Sequence, residues 1–230
     1  MKKRIKENIK FIIAFIALII FLWLIREVFQ DGIMRIDTIV YNKISKYLIK
    51  EQVTQIMKLI TSLGSVIVVG GVAILSCIIP KNKKISIAIL INLTCITISN
   101  VVLKQIIHRK RPEGFRLVDE NGYSFPSGHS MVSTAFYGFF IYLIYKYVKN
   151  RKLRNTLIII ISVMIFMICF SRIYLGVHYT SDVIAGISVS ISYLVVYTHF
   201  VQRYIEKGVV SEDEDKAEKK DESKNQEINK

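Results

Sequence analysis

Residues 85–112 read ISIAILINLTCITISNVVLKQIIHRKRP, and this stretch decides the fold. Residues 85–103 carry no charged side chain, and about 20 apolar residues are enough for an α-helix to cross the hydrocarbon core of a bilayer. Four cations follow at once, at Lys104, Arg109, Lys110 and Arg111. The pattern predicts a transmembrane helix that ends in a strongly cationic loop.

The rest of the chain repeats this segregation of apolar and charged residues. Its composition is 52% hydrophobic and 22% charged, and a soluble domain would intersperse the two kinds of residue. Here the apolar residues fall into blocks, most of them close to the length of a membrane span. The blocks predict an all-α, polytopic membrane protein with six transmembrane helices. They are residues 11–25, 59–79, 85–103, 131–148, 157–170 and 183–200.

The first block allows two interpretations. It follows Lys2, Lys3 and Arg4, as the apolar core of a secretory signal would. However, Arg26 and Glu27 come after it, where a signal would carry the small residues of a cleavage site. We therefore expect an uncleaved membrane anchor.

Residues 33–49, between the first two blocks, predict an amphipathic helix. Apolar side chains recur there at helical spacing, and polar side chains such as Asp37 and Lys43 occupy other positions. We expect this helix to lie at the membrane interface, where it packs against the bundle or guides a lipid substrate. Its apolar positions are Ile33, Ile36, Val40, Ile44 and Leu48.

Charge and cysteine content argue against two other classes of protein. The formal net charge is +14, but no basic stripe interleaved with aromatic residues lies outside the membrane blocks, so nucleic acid is not an expected partner. Cys77, Cys95 and Cys169 lie in apolar blocks without paired spacing or a nearby histidine. We expect them to be small buried hydrophobes and not metal ligands.

The chain divides into two regions. From Glu206 onward it is a mixed run of Asp, Glu and Lys, which cannot bury enough apolar area to fold. We expect residues 206–230 to form a disordered, charged cytoplasmic tail and residues 1–205 to form one six-helix membrane domain.

Lysine and arginine clusters predict the orientation in the cell membrane. They precede the first helix and lie between the second and third and between the fourth and fifth, and the positive-inside bias places these segments in the cytoplasm. Both termini would then be cytoplasmic, and residues 26–58, 104–130 and 171–182 would face outward. The cations of residues 104–111 oppose this bias, which indicates that something anionic binds there. Nonspecific lipid headgroups and a catalytic phosphate site are the two candidates.

Three polar patches fall in the predicted outer loops, at residues 104–112, 125–130 and 171–182. Phosphoryl transfer to a histidine needs a neutral imidazole, a carboxylate that fixes its tautomer, cations around the phosphate and an acid for the leaving oxygen. His178 and Asp182 are four residues apart, so a helical turn would bring them together. Asp182 would then accept a hydrogen bond from the Nδ1–H group and leave Nε2 to attack, and His129 is the candidate acid. A polar pair that caps the last helix is the alternative.

The same patches contain candidate phosphate ligands. Lys104, Arg111 and Arg172 supply positive charge, and each guanidinium offers a planar fork to phosphate oxygens. Ser127 and Gly128 precede the fourth helix, where free backbone N–H groups favour an anion. His108 and His199, the remaining histidines, are given no catalytic role.

In order and spacing, the patches resemble the signature of the type 2 phosphatidic acid phosphatase superfamily. Its pattern is K-x-x-x-x-x-x-R-P, then P-S-G-H, then S-R-x-x-x-x-x-H-x-x-x-D, and every fixed position is matched. The resemblance covers residues 11–201, and the six-helix layout is similar to the bacterial membrane branch of that family. The matching residues are Lys104, Arg111, Pro112, Pro126, Ser127, Gly128, His129, Ser171, Arg172, His178 and Asp182.

The resemblance implies a phosphatase that uses neither a metal nor another cofactor. It implies that His178 is the nucleophile, that Asp182 orients it and that His129 protonates the leaving group. The phosphate ligands that it implies are Lys104, Arg111, Ser127, Gly128 and Arg172.

The substrate is less determined, because soluble acid phosphatases, vanadium-dependent haloperoxidases and glucose-6-phosphatase share these motifs. A site at the bilayer boundary favours a lipid phosphate. We expect undecaprenyl diphosphate, with phosphatidylglycerophosphate or phosphatidic acid as the alternative. A non-enzymatic transporter or scaffold that holds anionic lipid is the alternative from another class, and the sequence does not indicate an oligomeric state.

Overall fold

A computed structural model describes residues 2–78 and 83–228 of the chain and the side chains of residues 8–30, 32–78 and 83–204. Within those ranges there are eight α-helices and no strand, so the predicted all-α class is confirmed. The helices are α1 (Lys2–Asp31), α2 (Arg35–Tyr47), α3 (Glu51–Ser62), α4 (Val66–Ile78), α5 (Lys83–Ile107), α6 (Gly128–Tyr147), α7 (Arg151–Tyr174) and α8 (Thr180–Ile228).

Four of these helices are long and apolar enough to cross a membrane, within the part of the chain that the structure describes. They are α1 over Asn8–Gln30, α5, α7, and α8 over Thr180–Tyr204. Helices α3 and α4 together make a fifth candidate span, which is bent by 43° at the break between them. The predicted membrane protein is confirmed, whereas the count of six spans is not.

Of the six predicted spans, the one at residues 131–148 is not among these candidates. Most of its residues lie in α6. This helix has 20 residues, but its first two turns carry the polar side chains of His129, Ser130, Ser133 and Thr134. It packs against α5, α7 and α8, and Phe136 is fully buried in their shared core. A helix that is surrounded by protein needs less apolar surface than one that faces lipid, so hydropathy marks it poorly.

Large apolar side chains cover the outward faces of several helices. Val66 and Ile67 on α4 are 87% and 86% exposed, and Phe15 on α1 is 64% exposed. Apolar surface on this scale is unfavourable in water and marks a contact surface. Lipid chains are the contact that suits helices of this length.

The break between α3 and α4 lies inside the predicted block 59–79, whose last residue is outside the described residues. A Cβ atom on Gly64 would lie 2.8 Å from Ile168 Cγ2 and 3.0 Å from the His129 ring. Glycine is needed there because the bend approaches α6 and α7 closely. The bend therefore borders the start of α6.

Helix α2 lies within the predicted amphipathic segment 33–49. Asp37 and Ile44 are its buried residues, and it contacts α7 and α8. The helix packs against the bundle, as one of the two predicted roles requires. Its placement at a membrane interface stays a prediction.

The last helix extends to Ile228, and the side chains beyond Tyr204 lie outside those that the structure describes. The disordered tail over residues 206–230, and with it the division at residue 205, therefore stays a prediction.

Backbone hydrogen bonds draw the polar loops together at one end of the bundle. The N–H of Ser124 donates to Arg109 O at 2.8 Å, and the N–H of Ser127 donates to Asp182 O at 3.1 Å. The first bond lies within the loop between α5 and α6, which adjoins the first two polar patches, and the second bond joins that loop to the third patch, although α6 and α7 lie between them along the chain.

Candidate active site

His178 lies between α7 and α8 and is 3% exposed. Its Nε2 is 3.3 Å from Arg111 Nη1, and because a guanidinium can only donate, Nε2 must accept. The proton is therefore on Nδ1, which lies 3.4 Å from Asp182 Oδ2 and 3.3 Å from Ser124 Oγ. This hydrogen-bond network assigns the tautomer that leaves the Nε2 lone pair beside a cation.

The surroundings of His178 favour its neutral form. Burial, against the opposing effect of Asp182 and with further lowering by Arg172 and Arg111, brings the pKa of His178 down to about 4. Desolvation penalises the charged imidazolium more than the Asp182 carboxylate stabilises it. The ring is thus an uncharged base at neutral pH.

Asp182 is fully buried and held at both oxygens. Its Oδ1 accepts from Arg109 Nη1 at 2.5 Å. Its Oδ2 accepts from Tyr179 N at 2.8 Å and from the Ser124 hydroxyl. A carboxylate with these donors has one orientation, and that orientation presents Oδ2 to His178.

Arg109 links Asp182 to the distant helix α2. Its Nη2 lies 2.8 Å from Asp37 Oδ2, and its Nη1 also donates to Ser181 Oγ at 2.7 Å. Asp37 in turn accepts from Ser181 N at 2.8 Å and from Ser181 Oγ at 2.7 Å. The side chains of Asp37, Arg109 and Asp182 are almost completely buried, so one guanidinium joins two carboxylates away from water.

Two of the predicted phosphate ligands are held by the loop before α6. Lys104 Nζ donates to Tyr123 O at 2.6 Å. Arg111 donates from Nε to Gly122 O at 3.1 Å and from Nη2 to Asn121 O at 2.9 Å. The carbonyl groups of this loop fix both cations, and Arg111 is held beside Nε2 of His178.

Arg172, the third predicted cation, lies on α7 and is 1% exposed. Its Nη1 donates to Thr61 Oγ1 at 2.7 Å, and its Nη2 donates to the carboxylate of Glu120. The same carboxylate is 3.6 Å from Arg111 Nη2. Glu120 therefore bridges the two guanidinium groups.

The start of α6 supplies fewer anion-binding groups than the sequence predicts. Ser127 is fully buried, and its N–H is used by Asp182 O. Gly128 is the first residue of the helix, where backbone N–H groups have no partner within the helix. A Cβ atom on Gly128 would lie 3.0 Å from Asn100 Oδ1, so glycine eases this close approach to α5.

His129 follows in the first turn of α6 and feels the charges of the same groups. Burial and the positive charge of Arg172, against the opposing effect of Glu120, bring the pKa of His129 down to about 3. His178 and Lys104 also lower the pKa of His129. In this state His129 is uncharged at neutral pH.

An apolar cavity of about 330 Å³ reaches His129 from the side of α4 and α5. Its wall includes Gly64, Val69, Leu93 and Val132. A hydrocarbon chain fits such a wall, because its transfer there removes apolar surface from water.

Four residues of this site were not identified in the sequence: Asp37, Arg109, Ser124 and Glu120. Arg109 lay within the cationic run, and Asp37 is the acidic residue of the amphipathic helix, so both gave a weak signal. Ser124 and Glu120 gave none, because short polar loops commonly carry such residues. Their roles depend on partners more than 50 residues away.

The described residues contain no group of three or more His, Cys, Asp or Glu side chains that could hold a metal ion. His199, for which no catalytic role is predicted, packs edge-on against the ring of Phe11 on α1 at 5.6 Å.

Comparison with known proteins matches residues 84–206 to the family described as the PAP2 superfamily. The chain is 40% identical over 93 residues to phosphatidylglycerophosphatase B of Bacillus subtilis and 34% identical over 99 residues to dolichyldiphosphatase of Saccharomyces cerevisiae. Each alignment covers 40% of this chain, but only 46% and 41% of the respective relative. The crystal structure of a transmembrane PAP2 type phosphatidylglycerolphosphate phosphatase from Bacillus subtilis superimposes with a TM-score of 0.76 at 25% identity, covering 83% of this chain and 96% of that one.

Proposed function

The chain belongs to the PAP2 superfamily, and from this premise we propose that it is a membrane phosphatase that hydrolyses a lipid phosphate or diphosphate through a phosphohistidine on His178. The observation that carries the proposal is the buried neutral imidazole whose Nε2 lies 3.3 Å from Arg111 Nη1 while Nδ1 faces Asp182 and Ser124.

The reaction has two steps. In the first, His178 Nε2 forms a bond to phosphorus as the bond from phosphorus to the leaving oxygen breaks, and His129 gives that oxygen a proton. In the second, water attacks the phosphohistidine, His129 accepts a proton from the water, and the P–N bond breaks to release inorganic phosphate. Asp182 keeps the proton of His178 on Nδ1 throughout.

The cations stabilise the charge that develops on the phosphoryl oxygens. Lys104, Arg111 and Arg172 would bind the phosphoryl oxygens, and the backbone N–H groups of Ser127 and Gly128 complete the family's ligand set. The N–H of Ser127 already has a partner, so the Gly128 N–H is the better backbone donor. A bound phosphate dianion would also raise the pKa of His129, so the proton needed for the leaving group would arrive with the substrate.

A lipid substrate is supported by the apolar cavity beside His129. We propose undecaprenyl diphosphate, whose headgroup would enter the cationic site while its chain stays in the bilayer. The name of the yeast relative, dolichyldiphosphatase, supports an isoprenyl diphosphate. Phosphatidylglycerophosphate is the second candidate, and the names of the Bacillus subtilis relative and of the solved structure favour it.

We place the active site on the outer face of the cell membrane. The proposal includes a sixth span at residues 131–148, an interfacial position for α2, and both ends of the domain in the cytoplasm. It is supported by the cations of residues 146–154, which the positive-inside bias places in the cytoplasm. A cysteine introduced at Glu113 should react with a membrane-impermeant maleimide on intact cells, whereas one introduced at Lys149 should not.

The function is tested with purified protein in detergent that contains EDTA. Undecaprenyl diphosphate, phosphatidylglycerophosphate and phosphatidic acid are offered in turn, and released phosphate is measured. His178→Ala should abolish both turnover and the acid-labile phosphate trapped on the protein, whereas His199→Ala should keep both. If no substrate releases phosphate, the protein is better described as a scaffold for anionic lipid, and normal turnover of His178→Ala would exclude His178 as the nucleophile.

A further inference from the structure

Glu120 occupies an unexpected place for an acidic side chain in a phosphate site. Its carboxylate contacts Arg172 Nη2 and lies 3.6 Å from Arg111 Nη2. The side chain of Glu120 is 29% exposed, whereas those of the two arginines are 5% or less exposed. An anion of the protein itself thus lies between solvent and the cations that the proposed function assigns to the substrate.

The contact with Glu120 leaves one edge of the Arg172 guanidinium with an unfilled hydrogen-bond donor. Nη1 is bound to Thr61 and Nη2 to Glu120, but the buried Nε has no hydrogen-bond partner among the described residues. Nε and Nη2 form one face of the fork, and two oxygens of a phosphate can engage both at once. A phosphate would therefore satisfy this face better than Glu120 does.

The charge state of Glu120 also favours its displacement by a phosphate. Burial by itself would raise the pKa of Glu120, but Arg172 and Arg111 outweigh it and the pKa is lowered, so the carboxylate is charged at neutral pH. A charged carboxylate and a phosphate dianion cannot share these cations without strong repulsion. One of them must move away, and Glu120 is the one on a solvent-exposed loop.

We propose that Glu120 is a resident anion of the phosphate site, which neutralises Arg111 and Arg172 in the free protein and is displaced when a phosphate binds. The inference rests on the proposed function for the identity of the substrate. Glu120 would then determine affinity and specificity, because a substrate must interact with these two arginines more strongly than the single carboxylate of Glu120 does. Dianionic monoesters and diphosphates meet that requirement better than singly charged phosphodiesters.

The test measures binding of inorganic phosphate, apart from turnover, by the shift of the thermal unfolding midpoint with phosphate concentration. Glu120→Gln keeps the shape of the side chain and removes the charge. We expect phosphate to bind about tenfold more tightly to it at pH 7, since one like charge close to the anion is lost. The KM for the lipid substrate should fall in parallel. Glu113→Gln is the matched control, because it removes one charge from an exposed position of the same loop and should leave the phosphate affinity unchanged.

A purely structural role of Glu120 predicts a different change in phosphate affinity. If Glu120 only braced the two arginines, Glu120→Gln would bind phosphate equally or more weakly, and that result would overturn the inference. Should Glu120→Gln fail to fold, Glu120→Asp gives the same test, since its shorter side chain loosens the bridge and phosphate should again bind more tightly. Tighter phosphate binding without release of phosphate from any lipid would refute the proposed function and support the inference. Lipid hydrolysis together with weaker phosphate binding by Glu120→Gln would support the proposed function and refute the inference.

Discussion

Asp37→Asn changes a single atom of a side chain that lies outside the three signature patches, yet it should destabilise the protein strongly. The native Oδ2 accepts from Arg109 Nη2 at 2.8 Å, from Ser181 Oγ at 2.7 Å and from Met34 N at 3.1 Å. Oδ1 accepts from Ser181 N at 2.8 Å. An amide can keep the Oδ1 contact, but its NH₂ group would then face three donors.

The magnitude follows from the burial of this ion pair. Removal of one partner from a buried salt bridge costs about 3–5 kcal/mol, because the other charge is left without compensation. In the variant Arg109 still contacts Asp182 and the carbonyl of Gly32, so we expect a loss of stability at the lower end of this range, about 3 kcal/mol. For a chain of this size each kcal/mol lowers the unfolding midpoint by about 2–4 °C, which gives a decrease of about 6–12 °C.

The assay is thermal unfolding in detergent followed by tryptophan fluorescence, with kcat and KM measured below the transition. Because Arg109 also orients Asp182, kcat should fall about tenfold while KM changes little, since Asp37 does not touch the phosphate cations. Glu51→Gln removes the same charge from an exposed position and serves as the control. A midpoint for Asp37→Asn within about 1 °C of the native value would show that the buried cluster does not carry the assigned energy.

Other perturbations test the site itself. Asp182→Asn should lower kcat by roughly 10²–10⁴-fold through loss of the correct tautomer, and equal rates for the variant and the native enzyme would contradict the assigned orientation of His178. Ser124→Ala removes one donor to Asp182 and should lower kcat by roughly tenfold with the KM unchanged, whereas a change in KM alone would place Ser124 in substrate binding. In ¹⁵N spectra of histidine-labelled protein, assigned with His178→Gln, the His178 ring should stay neutral down to about pH 4, and titration near its ordinary value of about 6.5 would contradict its burial. Since the unfolded chain takes up that proton near pH 6.5 and the native ring only near pH 4, His178 should reduce stability increasingly as the pH falls from 6.5 to 4. EDTA should leave phosphate release unchanged, and restoration of activity by an added divalent ion after chelation would contradict the proposed metal-free reaction.

The sequence by itself determined the helical class, the membrane setting and the residues that carry the phosphatase signature. Uncharged blocks near 20 residues long specify membrane helices without knowledge of their neighbours, because the bilayer is the same solvent for each of them. The spacing of His178 and Asp182 likewise predicts their proximity, since both lie on one local turn. The positive charge of Lys104, Arg111 and Arg172 marked them as phosphate ligands, and the family motifs contain the same three cations.

Only the tertiary structure decided which buried charges meet. Asp37 and Arg109 are 72 residues apart, and the pair is stable only because α2 packs where the loop after α5 returns to α8. The span count was equally non-local. Helix α6 carries buried polar side chains in its first two turns, where protein surrounds it, and hydropathy cannot distinguish protein contact from solvent. Glu120 shows the same dependence, since an acidic loop residue acquires its role from two arginines on different segments. Local sequence pattern thus predicts the secondary structure of a segment. Tertiary packing determines which polar groups are buried away from water and must therefore form hydrogen bonds or ion pairs with each other.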